Sequence, residues 1–413
     1  MTWQVAVSIY AVVLLSLLLF GVAIGSVMGI VGILGITLLS GTLLWTTIGD
    51  IVWNTTNSFT LVAVPLFIGG VSLPALALTT PPTRARGTTI RNVKNYGAIG
   101  DGVHDDTAAI QAAINSLPTT GGIVQIPAGT YMIDTGKKIN LRSSMLLQMD
   151  PAAILKAKTC SLIRHYILYI NDKSDVEIAG GQLVGDRDTH VYSGTSTHEW
   201  GHGIQCLGGK RVTIRDMRIS KCTGDGVCVG GAASDVVIAN IVSTQNRRQG
   251  LSITNCTNIK VYDSEFSFTQ GTAPECGIDI EPDAGYTCSN ILIQNCRMND
   301  NKKYGVNIWQ RTSNITITGC TLEKNGSLGM GTNGTTGLTI TKNTFRLNSA
   351  TGVVYNTGTT NVNHSGNLSY QNYTRLGAKV RTPFTQTGWT SKIERDILMR
   401  NGATPTIGTN NYQ

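Results

Sequence analysis

Between Val212 and Ser369 the chain repeats one short phrase of alternating apolar residues. It starts as Val212-Thr213-Ile214 and returns at Val236, Ile259, Ile291, Ile315 and Leu338, at spacings of 24, 23, 32, 24 and 23 residues. A second phrase, Gly-apolar-x-apolar, falls between the copies at Gly203, Gly226, Gly250, Gly277 and Gly305, with looser copies at Gly329 and Gly352. Two alternating strands per period, joined by turns rich in Asn, Gly, Ser and Thr, predict a solenoid. One unit cannot bury its apolar face alone, so successive coils must stack. The period is too short for a propeller blade and lacks helical spacing. It predicts an all-β parallel β-helix with each coil about 4.8 Å above the last. Sandwich strands would not hold one phase over so many coils.

Strand alternation then sorts the side chains. If the two apolar positions of the glycine phrase point inward, the second and fourth residues after each glycine point out. Reading up the coils, the first outward column is Gln205, Cys228, Ser252, Asp279, Asn307, and the next is Leu207, Gly230, Thr254, Glu281, Trp309. This register sets Asp279 and Glu281 side by side on one face, with Cα atoms roughly 6.5 to 7 Å apart. Paired carboxyls at such a distance suit the acid and base, or acid and nucleophile, of glycoside hydrolysis. Just before the glycines run His202, Asp225, Gln249, Cys276 and Tyr304, and one position further back Arg248, Glu275 and Lys303. Asp225 falls two coils, about 10 Å, from the Asp279 level. The catalytic candidates are therefore Asp279, Glu281 and Asp225. Arg247, Arg248, Lys303, Asn307, Trp309 and His202 are candidate substrate contacts, the arginines for uronate carboxylates and the indole for stacking.

The ends differ from the solenoid. Residues 5–39 and 59–78 are apolar and uncharged, each of a length that crosses a bilayer, so residues 1–78 are expected as a helical transmembrane or apolar segment. Ala75-Leu76-Ala77 is an A-x-A pattern of the kind that precedes cleavage. Residues 79–91 read as a linker and 92–413 as the β-helix. Apolar spacing from Ala108 to Leu117 predicts a short helix, with Asp105 or Asp106 as its cap; it would close the apolar end of the solenoid. Residues 391–401 are expected as a helix at the other end. Between Val176 and Val212 the period stretches to 36, and the surplus carries Asp186, His190, His198 and Trp200. Insertions in solenoids become loops on one face.

Charge adds one constraint. The net charge is +8, and the first 83 residues hold only Asp50, so the remainder carries +9. A basic solenoid suits an acidic partner, and an acidic polysaccharide fits a long groove. Lys and Arg are scattered without a basic run, which argues against nucleic acid. The nine cysteines lie between Cys160 and Cys320 without CxxC or Cys/His zinc spacing, and read as small core residues rather than a metal site.

Asn92 to Tyr131, with Asn95-Tyr96-Gly97-Ala98-Ile99-Gly100-Asp101-Gly102 and Asp105-Asp106-Thr107, resembles the opening of pectate-lyase-like proteins, the superfamily that includes polygalacturonases, rhamnogalacturonases and uronate C5-epimerases. The resemblance implies a right-handed β-helix acting on polysaccharide outside the cytoplasm, either secreted or held at a membrane by the N-terminal segment. It implies that Asp101, Asp105 and Asp106 are structural. The polygalacturonase motifs are not met in order: Gly201-His202-Gly203 is present, Gly224-Asp225-Gly226 matches in part, and the Asp-Asp and Arg-Ile-Lys motifs are absent. The epimerase Asp-Pro-His-Glu motif is absent too. Residues 1–68 resemble the start of a TRAP-type transporter permease, too short a match to imply transport. The expected function is a glycoside hydrolase without a cofactor. A lyase or C5-epimerase using Ca2+ and a non-catalytic glycan-binding solenoid are the alternatives.

Overall fold

A computed structural model describes residues 79–372, with 391–394, 397–400, 403 and 405–412 beyond them. The strands stack in parallel, coil on coil. Val212 pairs with Val236, Val236 with Ile259, Ile259 with Ile291, Ile291 with Ile315, and Ile315 with Leu338. The glycine phrase stacks the same way through Ile204, Val227, Leu251, Ile278, Val306, Met330 and Val353. These residues are at most 2% exposed and form the spine of one continuous core.

Each central coil holds three strands rather than the two expected. The third is three residues long, as in Glu265–Ser267, Arg297–Asn299 and Thr321–Glu323. Its single inward residue stacks as Phe266, Met298 and Leu322. One apolar residue between two polar ones is too short to show a period, which is why the alternation did not reveal it.

The turn chemistry follows from a sharp bend repeated at one height. Asp175, Arg211, Asp235, Asn258, Asn290, Asn314, Gly337 and Asn361 all sit there at φ between 50 and 71°. Asn, Asp and Gly reach this left-handed region at low cost, so the bend selects them.

At the N-terminal end the helix Thr107–Asn115 buries Ile110, Ala113 and Ile114 over the first coil. Asp105 Oδ1 accepts the Thr107 backbone N–H at 3.1 Å, while the Asp106 carboxylate accepts from Ile99 and Gly100. Both are structural, as the opening motif implied. Residues 79–91, read as a linker, instead run along the sheet. Arg84 is 9% exposed and bonds Thr213, the Val212 carbonyl and Asp235, and Thr89–Asn92 pairs with Gly122–Ile126. At the far end the expected helix is replaced by strands. Ser391–Glu394 pairs antiparallel with Ile397–Arg400, which pairs in turn on Val353–Tyr355. The last coil offers unpaired N–H and C=O groups, and strands satisfy them where a helix would not. No helix among the described residues is long and apolar enough to cross a membrane; the apolar runs on which that expectation rests lie outside the described residues.

Candidate functional site

The outward column appears in the expected register. Gln205, Cys228, Ser252, Asp279 and Asn307 pair in succession along the strands Trp200–Leu207, Val227–Gly230, Gln249–Ile253, Cys276–Ile280 and Val306–Ile308. They are not on an open wall. Asp279 is 2% exposed and Ser252 3%, and both lie in the lining of an open groove of about 630 Å3. Arg164, Tyr166 and Trp200 stand at one end of it, and Glu281, Asp283 and Arg311 at the other.

Asp279 lies in the floor. Its Oδ2 faces Gln249 Nε2 at 2.6 Å and its Oδ1 accepts from Asn307 Nδ2 at 2.9 Å. Burial, and then the neighbouring Glu281 carboxylate, push its pKa up to about 7, against the opposing pull of Asn307 and Arg248. A carboxyl poised there holds a proton near neutral pH, as a general acid must. Glu281, two residues on, is partly exposed in the groove wall.

Asp225 is fully buried. Ser252 Oγ lies 2.8 Å from its Oδ2, and Arg248 approaches both oxygens at 3.4 Å. Arg248 also faces Glu199 at 3.4 Å, and these anions raise its pKa further. Ser252 Oγ contacts Gln249 Oε1 as well. One line of side chains thus runs Asp225, Ser252, Gln249, Asp279, Asn307. His202 is stacked on Tyr166 with ring centroids 5.6 Å apart. Its Nδ1 accepts the Asp225 backbone N–H at 3.0 Å, and burial lowers its pKa to about 4. The ring is therefore neutral at pH 7 with its hydrogen on Nε2, and that buried atom has no partner among the described residues. It is a buried donor rather than a base.

The structure gathers Asp279, Glu281, Asp225, Arg248 and His202 around the groove, and Asn307 reaches it through Asp279. Three other candidates lie elsewhere. Trp309 does not line the groove, because the chain turns at Ile308 and the alternation ends. Arg247 bonds the Thr197 carbonyl at 2.7 Å and lies over Tyr192 at 4.5 Å. Lys303 faces Glu275 at 3.6 Å. Their places are taken by Trp200, with Arg164 stacked 4.2 Å above its ring, and by Arg311. Arg164 pairs with Trp200 across the 36-residue coil; the outward column continues one coil below Gln205 as Tyr169, so it does not lead to Arg164. All nine cysteines are free and, Cys160 apart, buried, as core packing requires.

A stack of parallel coils with a polar groove across one face defines the class: a parallel β-helix with a groove for an extended ligand. The family follows from sequence comparison. The family model for the right handed beta helix region matches residues 148–322 and 276–380, and a second, rhamnogalacturonase A/epimerase, pectate lyase-like, matches 90–172. The chain belongs to the right-handed β-helix family, and its opening coils match the pectate lyase-like model. The Bacillus subtilis protein YclG is 32% identical over 220 residues, 46% of this chain and 38% of that protein. The mannuronan C5-epimerase AlgE1 of Azotobacter vinelandii is 56% identical over 48 residues, 11% of this chain and 3% of its own. The chain thus spans less than two fifths of the length of these curated relatives. Among solved structures, the AlgE6 A-module of the same organism aligns with a TM-score of 0.59 at 20% identity, over 78% of this chain and 94% of that one. The family 28 exopolygalacturonase of Yersinia enterocolitica gives 0.50 at 16%, over 69% and 64%. At these identities the structural likeness speaks for the fold alone. The resemblance of residues 1–68 to a transporter subunit finds no support among the matches.

Proposed function

We propose that the groove binds a polysaccharide chain and hydrolyses a glycosidic bond, with Asp279 as the acid that protonates the leaving oxygen. The observation that carries this reading is the buried, hydrogen-bonded carboxyl, its pKa raised to about 7, at the floor of an open groove and two residues from a second carboxyl. Glu281 is then the base that activates water, or the nucleophile. The connecting line of side chains supports the proton assignment. Ser252 has one hydrogen but two acceptor neighbours, Asp225 and Gln249. A half turn of the Gln249 amide, whose oxygen and nitrogen are interchangeable by shape, lets Asp279 O–H donate to Oε1 and Nε2 donate to Ser252. Ser252 then donates to Asp225, and every contact is paired. Arg248 offsets the charge of Asp225 across 3.4 Å. Trp200 offers a ring face for a sugar, and Arg164 and Arg311 offer charges for uronate carboxylates.

A second reading, elimination or C5-epimerisation of a uronate chain, is favoured by the local identity to mannuronan C5-epimerases. The Ca2+ such a reading would take fits poorly here. Both oxygens of Asp279 are engaged by Gln249 and Asn307, and a carboxyl that holds its proton to about pH 7 is a weak oxygen ligand.

The test is incubation of the full chain with a panel of neutral and uronate-bearing polysaccharides. Reducing ends should rise without the ultraviolet absorbance of an unsaturated sugar, and Asp279→Asn should abolish them. Absorbance that grows with Ca2+ would replace hydrolysis by elimination, and retention of glycan without any product would leave a binding solenoid.

A further inference from the structure

We propose that Cys160, His165, Asp186 and His190 form a structural site for one divalent transition-metal ion of the zinc class, which clips the 185–199 insertion to the coil below it. Sγ of Cys160, one nitrogen of each histidine and a carboxylate oxygen of Asp186 all lie within 4.8 Å of one another. Asp186 Oδ2 is 2.7 Å from His190 Nδ1 and 3.4 Å from Cys160 Sγ, Asp186 Oδ1 is 3.2 Å from His165 Nε2, and Sγ is 3.8 Å from His190 Nδ1. A tetrahedral zinc ion with bonds of about 2.0 to 2.3 Å sets its ligand atoms roughly 3.3 to 3.7 Å apart. The four groups need shift only by tenths of an ångström to about one ångström. Two nitrogens, an oxygen and a sulfur suit zinc and its neighbours rather than calcium or magnesium.

The surrounding contacts point the donor atoms inward. His165 Nδ1 is held by the Leu162 carbonyl at 2.8 Å, which leaves Nε2 facing the centre. His190 Nε2 meets His198 Nδ1 at 2.9 Å, and His198 Nε2 meets the Ser193 carbonyl at 2.8 Å. Thr223 Oγ1 donates to Asp186 Oδ1 at 2.7 Å. Both histidines and the carboxylate are thus oriented by a partner on the outer side, as metal-bound histidines and carboxylates are. Gly201 makes room for this: a Cβ there would stand 2.4 Å from His165 Cε1.

The donor–acceptor count favours an ion over hydrogen bonds alone. The line from Asp186 through His190 and His198 to the Ser193 carbonyl has acceptors at both ends and three contacts, each needing a hydrogen. Two neutral rings carry only two. His165, set between the Leu162 carbonyl and Asp186, is likewise one short. Metal-free, the cluster needs two extra hydrogens, hence two positive charges, around a single buried carboxylate. A divalent ion in place of those two hydrogens, with the Cys160 thiolate and the Asp186 carboxylate, makes the site neutral. All four protein ligands are then used and Asp186, His165 and His190 are at most 6% exposed, which is the closed form of a structural rather than a catalytic site.

The site has a consequence for the groove. His165 alternates with Arg164 and Tyr166, and the insertion runs directly into Glu199 and Trp200; Arg164, Tyr166 and Trp200 line the groove and Glu199 pairs with Arg248. Fixing His165 and the insertion fixes that wall.

The experiment is a Co2+ titration of the full chain in reducing, chelator-free buffer, followed by competition with Zn2+. Visible d–d bands and a near-ultraviolet thiolate-to-cobalt band should saturate at one equivalent, and Zn2+ should remove them and raise the Tm. Cys160→Ser should lose the thiolate band, and His198→Phe, which cuts only the outer contact, should weaken binding by about 10- to 100-fold. His104→Ala, on the exposed opening turn, should change nothing. Wild-type protein that takes up no Co2+ stoichiometrically overturns the proposal, as do bands that survive in both Cys160→Ser and His190→Ala.

Discussion

Two columns of buried polar side chains run along the same solenoid and are built in opposite ways. In the C-terminal half, Asn301, Asn325, Asn348 and Asn372 stack at one corner. The Oδ1 of Asn325, Asn348 and Asn372 each accepts the backbone N–H and the side-chain Nδ2 of the Asn one coil below, at 2.9 to 3.2 Å, and Asn301 Oδ1 accepts the Thr269 backbone N–H. Each Nδ2 also donates to a core-strand carbonyl, as Asn325 does to Met298 at 3.1 Å. Every rung is the same and every donor finds its acceptor. In the groove the stacked residues are all different, Gln205, Cys228, Ser252, Asp279 and Asn307, and the fit is incomplete. Asp279 carries a raised pKa, and the buried His202 Nε2 has no partner among the described residues. Repetition lets a solenoid bury polar groups at little cost. Where repetition is given up, desolvation is left uncompensated, and the residue that carries it is available for chemistry.

Breaking each column should therefore have different consequences. The largest is expected from Asp279→Asn, which should lower turnover by about a hundredfold to ten-thousandfold while the near-ultraviolet circular dichroism stays unchanged. The same substitution should not destabilise the protein at alkaline pH. Because the folded pKa of about 7 lies above the ordinary 3.8, the stability this carboxyl contributes is full below about pH 4 and lost as pH rises through about 7. Denaturant midpoints at pH 8 should then be equal to or above wild type.

Asn325→Ala should do the reverse. It strips partners from Asn301 and leaves the Asn348 column without its lower rung. A loss of about 2 to 4 kcal/mol in unfolding free energy is expected, with kcat and KM unchanged well below the Tm. Trp200→Ala should raise KM roughly fivefold, about 1 kcal/mol of stacking, with little change in kcat. The smallest effect concerns pH. Activity should fall as pH rises through about 7, where Asp279 gives up its proton. Asn307 stabilises the ionised form of that carboxyl, so Asn307→Leu should move the alkaline limb of kcat/KM to higher pH. A limb that moves down, or stays in place, would assign it to another group.

Much of this was legible in the residues. The period placed Val212 over Val236 and Ser252 beneath Asp279, because a β-strand has only two faces and a solenoid only one phase. The closeness of Asp279 to Glu281 followed from that. What the pattern could not carry was the height of the walls. Asp279 read as exposed, yet it is buried by side chains from other coils, and its pKa depends on that burial. Trp309 read as its stacking partner, but the strand ends at Ile308 and alternation stops predicting direction there. Arg164 and Trp200 were hidden by the 36-residue coil, which breaks the phase just where the groove wall is made. The cluster of Cys160, His165, Asp186 and His190 shows no metal spacing because its ligands come from two coils and meet only through the stacking.

The central claim is that the unlike column around Asp279 is hydrolytic, and product analysis in heavy-oxygen water tests it most directly. Mass spectra of the fragments released from a uronate-bearing polysaccharide should show one solvent oxygen at each new reducing end with wild-type protein, and no fragments with Asp279→Asn. Fragments lighter by one water and free of solvent oxygen, or cleavage that continues unchanged in Asp279→Asn, would contradict it.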